Sequence, residues 1–455
     1  MMKNIRKIAA VLLAAVILLS FGSCEKPGKG EIADPSEATV PTDLAEHPLE
    51  TVEIEEDYGD VGHFAYTGGY DSVYLGTQRV AKLKIGYKSL RDDSERDLYE
   101  QLVKNVFYVS KEIGDNGCHC IRQADLPNTV LTEAQLRLVI RAVSQDNPQI
   151  FWLADIFGYK INDGGTVVQL YSKYSVEEIK EKISRINGVV AQLCEKMPQE
   201  LDSYRREMII HDFLLDNCEY AEDTKKIDED FSAFNIYGAL VNRRAVCEGY
   251  AKAFQWLLSL SDIEAVTVIG NGAESLHMWN AVKLDGAWYY VDPTWNDGGE
   301  YMRYDYFNAT QEQMSQSCHE LAPLYSKLSS EEICGTKSSP PTSFNVFIPT
   351  CDSLENSYLT RGAVTLRGFS DYDSNAVVQR LYSAIRDDEK FVEILIDVPD
   401  MSYDEAVQKL TDSRSGVLFD CIEKANGMYF GKQIDERSLA VIKKRDRNIL
   451  TVIFN

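Results

Sequence analysis

Two β-rich runs, Leu276 to Leu284 and Ala287 to Asp292, are separated only by Asp285-Gly286. An Asp-Gly connection between strands predicts a two-residue hairpin turn, because both central residues of the favoured turn need positive φ. So short a loop sets the register. Leu284 pairs with Ala287, and counting outward places Trp279 opposite Asp292. His277, two residues beyond Trp279, then projects from the same face as Asp292. Their backbones lie on the order of 5.5–8 Å apart, which a histidine–carboxylate hydrogen bond spans. Pro293 ends the strand directly after Asp292, so the pair sits at the open end of the hairpin.

Upstream, the segment Arg244 to Leu258 has the periodicity of a helix beginning near Cys247, with Ala251, Phe254, Leu257 and Leu258 forming its buried face. Cys247 lies one turn before Ala251 on that face. A thiol at a helix N-terminus meets the positive end of the dipole, which favours the nucleophilic thiolate. The same amides can hold the oxyanion formed when a carbonyl is attacked. A buried structural cysteine is the plain alternative, and the His277–Asp292 pair decides against it. Cys247 attacks an amide carbonyl, His277 carries the proton, and Asp292 orients the imidazole. Bringing the thiol to the hairpin requires the helix to pack on its His277 face. No cofactor and no metal are needed.

Residues 205 to 297 resemble the transglutaminase-like superfamily, a papain-related α+β fold. Val246-Cys247-Glu248-Gly249-Tyr250-Ala251 resembles its Cys motif, His277-Met278-Trp279-Asn280 its His strand, and Val291-Asp292-Pro293-Thr294-Trp295 its Asp strand. Ala245 stands where many members carry Gly. The resemblance implies a catalytic helix packed on an antiparallel sheet, and it gives Cys247, His277 and Asp292 the same three roles. It also implies action on peptide or protein amides, by hydrolysis or by amine transfer.

The chain begins with a basic stretch (Lys3, Arg6, Lys7) and an apolar run from Ile8 to Leu19, the pattern of an export signal. Leu19-Ser20-Phe21-Gly22-Ser23-Cys24 resembles a bacterial lipoprotein signal, which implies lipidation of Cys24, anchoring to the cell membrane and an extracytoplasmic location. Residues 25–60 hold twelve acidic residues against two Lys, with four Pro, a composition expected to form a disordered tether. The net charge of -24 repels phosphate backbones and argues against nucleic acid as a partner.

The resulting organisation is a signal over 1–24, the tether over 25–60 and an α+β region over 61–197. A catalytic domain over 198–335 follows, then a linker over 336–342 and an α+β accessory domain over 343–455 with cell-envelope contact as its expected role. In the first region, Arg91–Val109 and Leu131–Val143 read as helices, Ile150–Leu153 and Thr166–Tyr171 as strands, and Ser175 with Glu178 as a capping box. In the last, Phe344–Pro349, Phe391–Val398, Gly416–Ile422 and Ile449–Phe454 read as strands, and Ala376–Ile385 and Tyr403–Leu410 as helices.

Trp279 and Trp295 are candidates for the wall of a substrate cleft. His211 reads as a satisfied core histidine, and Tyr237 as a weak candidate for oxyanion support. Cys118-His119-Cys120 lacks the second ligand pair of a zinc site. The remaining cysteines are either disulfide-bonded or buried thiols. A rival reading from another class is a silent transglutaminase-like fold serving as a binding or structural lipoprotein.

Overall fold

The computed structural model describes residues 51–53, 63–64, 73–74 and 84–454, apart from 115, 163, 198–200, 222–230, 274, 299–302, 336–339, 413–415 and 432. The expected signal, Cys24, most of the tether and part of the linker lie outside the described residues. Thr51–Glu53, at the far end of the expected tether, is a strand paired antiparallel with Tyr108–Ser110, so that end is not free chain. The fold is α+β. Among the described residues no helix is long and apolar enough to cross a membrane.

The chain divides into two compact units. The first runs through Gly286 and adds Asp292–Asp297 and Ser317–Thr350; the second holds Ala287–Val291, Gly298–Gln316 and Cys351–Asn455.

In the first unit, helices Asp93–Asn105 and Glu133–Asp146 start at Asp92 and Thr132, whose side chains accept from Glu95 N and Gln135 N. Strands Leu153–Asn162 and Gly165–Ser172 pair antiparallel. Ile150 to Trp152 lie outside the strand expected there. The Trp152 indole is buried and donates to the Val106 carbonyl at 3.0 Å. Ser175 and Glu178 close their capping box, and the following helix, Val176–Lys196, buries Ile179, Ile183, Ile186 and Val190.

Helix Cys247–Leu260 packs against the antiparallel strands Glu264–Gly272 and Ser275–Leu284 and against helix Ser203–Asn217. The first of these strands is central, because His319–Leu321 pairs on its other side. The helix does not sit on the His277 face. Asn280 Nδ2 donates to the Ala251 carbonyl at 2.9 Å, and Cys247 and Ala251 cluster with Ile269 and Met278. The even-numbered side chains of the strand therefore seat the helix, and His277 and Trp279 occupy the alternate face. Gly249 permits the close start of the helix, since a Cβ there would lie 2.4 Å from the Ala233 carbonyl oxygen. The Asp285-Gly286 turn has φ of 49° and 89°, both positive as its sequence requires.

The expected strand Phe344–Pro349 forms no more than an isolated bridge, Leu324 with Asn345. Asn345 does the work of a strand with its side chain. Its Oδ1 accepts from Ile269 N at 2.8 Å, and its Nδ2 donates to the carbonyls of Ile269 at 2.8 Å and Ala322 at 2.9 Å.

The second unit carries the sheet order Val364–Leu366, Phe391–Ile396, Ile449–Ile453, Ala440–Lys444. Helices Asp371–Arg386, Tyr403–Thr411 and Val417–Gly427 bury Leu381, Leu410 and Ile422 in the same core. The run Gly416–Ile422, expected as a strand, is thus helical. Its apolar residues continue at helical spacing through Cys421 and Ala425, both buried. Lys444 Nζ is buried between Asp305 Oδ1 at 2.5 Å and Glu393 Oε1 at 2.6 Å.

Asn345→Ala should lower the unfolding free energy of the first unit by about 2–4 kcal/mol, because three hydrogen bonds vanish and the buried Ile269 N–H is left unpaired, while its carbonyl keeps the Ala322 N–H. Urea denaturation checks it; a loss under about 0.5 kcal/mol would show that the loop is not held by Asn345.

Candidate active site

Asp292 is the N-cap of the short helix Pro293–Asn296, and its Oδ1 accepts from Thr294 N at 3.0 Å and Trp295 N at 3.1 Å. Its other oxygen, Oδ2, accepts from His277 Nε2 at 2.6 Å and from His319 Nε2 at 2.9 Å. Asp292 and His319 are fully buried, and Cys247 and His277 keep 8% and 6% of their surface exposed. Burial opposes ionisation of Asp292, but the charges and hydrogen bonds of the two imidazoles outweigh it and hold the carboxyl well below its usual range. Burial likewise opposes the imidazolium of His277. The Asp292 carboxylate, followed by the hydrogen bond and charge of Cys247, overrides it and raises His277 to about 10.

Since Nε2 of His277 is held by Asp292, Nδ1 is the nitrogen left for Cys247. The thiol opens its helix at the first turn, and the N-cap, Val246, offers no side-chain acceptor. Most other helices begin on a capping Ser, Thr or Asp. Here the first-turn amides are not claimed by a cap side chain.

The register explains how two histidines reach one carboxylate. His277 lies opposite Gly270, and His319 lies opposite Gly272, on the two sides of the central strand. Gly270 and Gly272 share a face and leave it without side chains. A Cβ on Gly270 would sit 2.6 Å from Trp279 Cη2, and one on Gly272 would sit 2.9 Å from His277 Cδ2 and 3.0 Å from Trp295 Cζ2. The rings fill this trough. His277 stacks on Trp279 at 5.8 Å between centroids, and Trp295 lies 5.5 Å from His277 and 4.3 Å from His319.

The turn after Asp292 is fastened from behind. Tyr250 Oη, on the Cys247 helix, donates to Asp297 Oδ2 at 2.6 Å, and Asn296 Nδ2 lies 3.0 Å from His211 Nε2. His211 is therefore a satisfied core histidine, with Nδ1 at 3.1 Å from Asp212 Oδ1.

Among the described residues, His277, Asp292 and His319 also bring metal-type donor atoms within 4.8 Å of one another. Ligand atoms sharing a metal at about 2.0–2.1 Å would stand roughly 3.3 Å apart. The contacts of 2.6 and 2.9 Å are hydrogen bonds. A cavity beside the same helix is lined in part by Asp155, Glu248 and Lys252 and by none of the three triad residues. Burial, then the charge of Glu248, pushes the Asp155 carboxyl up to about 6.

Of the residues singled out in the sequence, Cys247, His277 and Asp292 come together. Trp295 borders the imidazoles and is partly exposed. Trp279 does not line a cleft: at 1% exposure it is a core ring beneath His277. Tyr237 stacks on Phe151 at 6.1 Å and its hydroxyl accepts from Arg185 at 3.5 Å, which engages it elsewhere. The nine cysteines other than Cys24 are free thiols. His319 was not evident from the motifs. Its signal is the pair of glycines in Gly270-Asn271-Gly272, since glycine within a strand marks the close approach of something bulky.

Residues 191–293 match the family model of the Transglutaminase-like superfamily. The chain thus carries a transglutaminase-like domain, which spans Cys247, His277 and Asp292. Kyphoscoliosis peptidase of Mus musculus is 28% identical over 127 residues, covering 25% of this chain and 19% of the relative; that of Homo sapiens gives the same figures. The chain therefore spans about a fifth of the length of these curated relatives. Among solved structures, a crystal structure of a TGase aligns over 33% of this chain and 47% of that one, with 14% identity and a TM-score of 0.23.

Two outcomes are expected. Gly272→Ala should slow alkylation of Cys247 by about tenfold or more, because the added methyl displaces the His277 ring. An unchanged rate would show that the trough has room. The raised His277 contributes stability that is complete below its ordinary value of 6.5 and is lost as pH rises through about 10. The lowered Asp292 contributes above its ordinary 3.8 and loses that contribution as pH falls. The gap in urea midpoint between wild type and His277→Gln should accordingly be widest near about pH 5–6 and close toward pH 10. A gap independent of pH would rule out the charged pair.

Proposed function

We propose that the protein is a thiol acyl-transfer enzyme acting on peptide or protein amide bonds, with hydrolysis as its main outcome. The observation that carries this reading is the relay itself. Cys247 opens an uncapped helix and acts on His277, whose other nitrogen is held by the Asp292 carboxylate. The thiolate sulfur attacks the carbonyl carbon, and the first-turn amides face the developing oxyanion. The C–N bond breaks as His277 Nδ1 gives its proton to the departing nitrogen. Water then attacks the thioester, yields its proton to the same nitrogen, and the acid leaves as the thiolate is restored. A lysine amine in place of water gives a cross-link through the same intermediate. Water is always at hand, whereas an amine needs an acceptor site, and the curated relatives are named as peptidases.

Export, with a lipid on Cys24 as the anchor, is part of the same proposal and rests on the Leu19 to Cys24 motif. The accessory region would then serve contact within the cell envelope.

Limiting iodoacetamide at about pH 6, with mass-spectrometric mapping, tests the activated thiol. Burial raises Cys118, Cys120, Cys194, Cys218, Cys334, Cys351 and Cys421, which leaves them poorly reactive there. Cys318 is an exposed internal reference. Labelling of Cys247 should outpace Cys318, and His277→Ala should abolish that lead while keeping the fold. Equal rates in the wild type would favour a silent binding protein. With a peptide substrate found, release of ammonia against a new N-terminus separates action on side-chain amides from backbone cleavage.

A further inference from the structure

His319 Nε2 shares one acceptor oxygen with His277, the Oδ2 of Asp292. Its other nitrogen, Nδ1, lies 3.2 Å from the Ser317 carbonyl oxygen. A carbonyl and an ionised carboxylate can only accept, so each ring nitrogen of His319 faces an acceptor, and an N–H on Nε2 is the one that serves Asp292. It is fully buried, with Trp295 at 4.3 Å and Trp279 edge-on at 5.2 Å between centroids. His319 lies opposite Gly272, whose missing side chain makes room for the His277 and Trp295 rings that adjoin it. An apolar side chain at 319 would fill the same volume, so packing alone does not call for a donor aimed at Asp292.

We propose that His319 is a positioning residue for the acyl-transfer site: its Nε2–H holds Asp292 Oδ2 in line with His277. This inference rests on the thiol acyl-transfer reading. In this proposal His319 acts through Asp292 and is not itself a reacting group. Without its donor, the buried carboxylate keeps three of its four hydrogen bonds, and the one to His277 loses its directional partner. The imidazolium beside Cys247 is then less firmly held, and the thiolate with it.

Two polar substitutions separate the roles of the two ring nitrogens. The amide nitrogen of Gln stands close to where Nε2 stands, and that of Asn close to where Nδ1 stands. His319→Gln thus keeps a donor toward Asp292, and His319→Asn keeps one toward Ser317. The readout is the alkylation rate of Cys247 relative to Cys318 in the full chain at about pH 6, with thermal melting alongside. His319→Asn should lower that ratio about tenfold or more, and His319→Gln should recover it to within about threefold of wild type. If His319→Asn does not fold, His319→Met, apolar and of similar length, takes its place in the comparison with Gln. A wild-type ratio in the variant without the donor overturns the proposal. So does a Gln variant as slow as Asn or Met, which would mean that the ring packs and does not position. A wild type whose Cys247 reacts no faster than Cys318 instead overturns the acyl-transfer reading beneath it.

Discussion

A carboxylate with no exposed surface is costly to bury, and Asp292 is tolerated because every direction around it supplies a donor. Half of its shell is local. As the N-cap of the turn it begins, it collects the amides of Thr294 and Trp295. The other half is tertiary and comes from imidazoles on two strands that flank a third. That second half is available in one register alone. A slip of one residue would turn His277 to the opposite face and set Met278 or Leu276 against the carboxylate. The charge at the centre therefore specifies the sheet as much as the sheet specifies the site.

The helix bearing the thiol is tied to the same centre by hydrogen bonds that do not involve the thiol. Asn280 grips the Ala251 carbonyl from the strand, and Tyr250 grips Asp297 from the helix. These bonds bracket Cys247, one to the sheet and one to the turn that carries Asp292. The nucleophile then need not form a strong bond of its own to be placed, which suits a group that must leave its partner during reaction. Pairing of buried ionic groups is a weak source of stability, so this arrangement is better understood as geometry held by ordinary amide and hydroxyl contacts.

The sequence made the local half of this design legible and most of the distant half opaque. Asp285-Gly286 announces its turn because two positive φ angles leave few other residues suitable, and Cys247 announces its helix through Ala251, Phe254, Leu257 and Leu258. Both signals lie within a dozen or so residues of what they determine. His319 is 27 residues from Asp292 and joins it through a strand pairing that no short motif encodes. The same limit explains Asn345, whose side chain replaces a strand expected from apolar composition. At Gly416 to Ile422 a short apolar run could be either strand or helix, and the buried Cys421 and Ala425 beyond it settle the period. The Cys247 helix seats on the face opposite His277, because the His277 face is filled by Trp279, Trp295 and the second imidazole.

The polarity of the relay also limits where selectivity can reside. With Nε2 of His277 bound to Asp292 at 2.6 Å, the ring cannot turn without stranding a buried charge, so Nδ1 must serve every proton transfer. In the proposed reaction the departing amine, the incoming water and any incoming lysine would all meet the same nitrogen, from the Cys247 side. The triad therefore treats water and amine alike. What discriminates between them must lie in front of it, where Cys247 and His277 keep their small exposed edges and Trp295 forms a partly exposed wall. With Trp279 withdrawn into the core, Trp295 is the candidate from the motifs that still stands at that approach, and under the proposed function the balance between hydrolysis and transfer would turn on the surface that adjoins it.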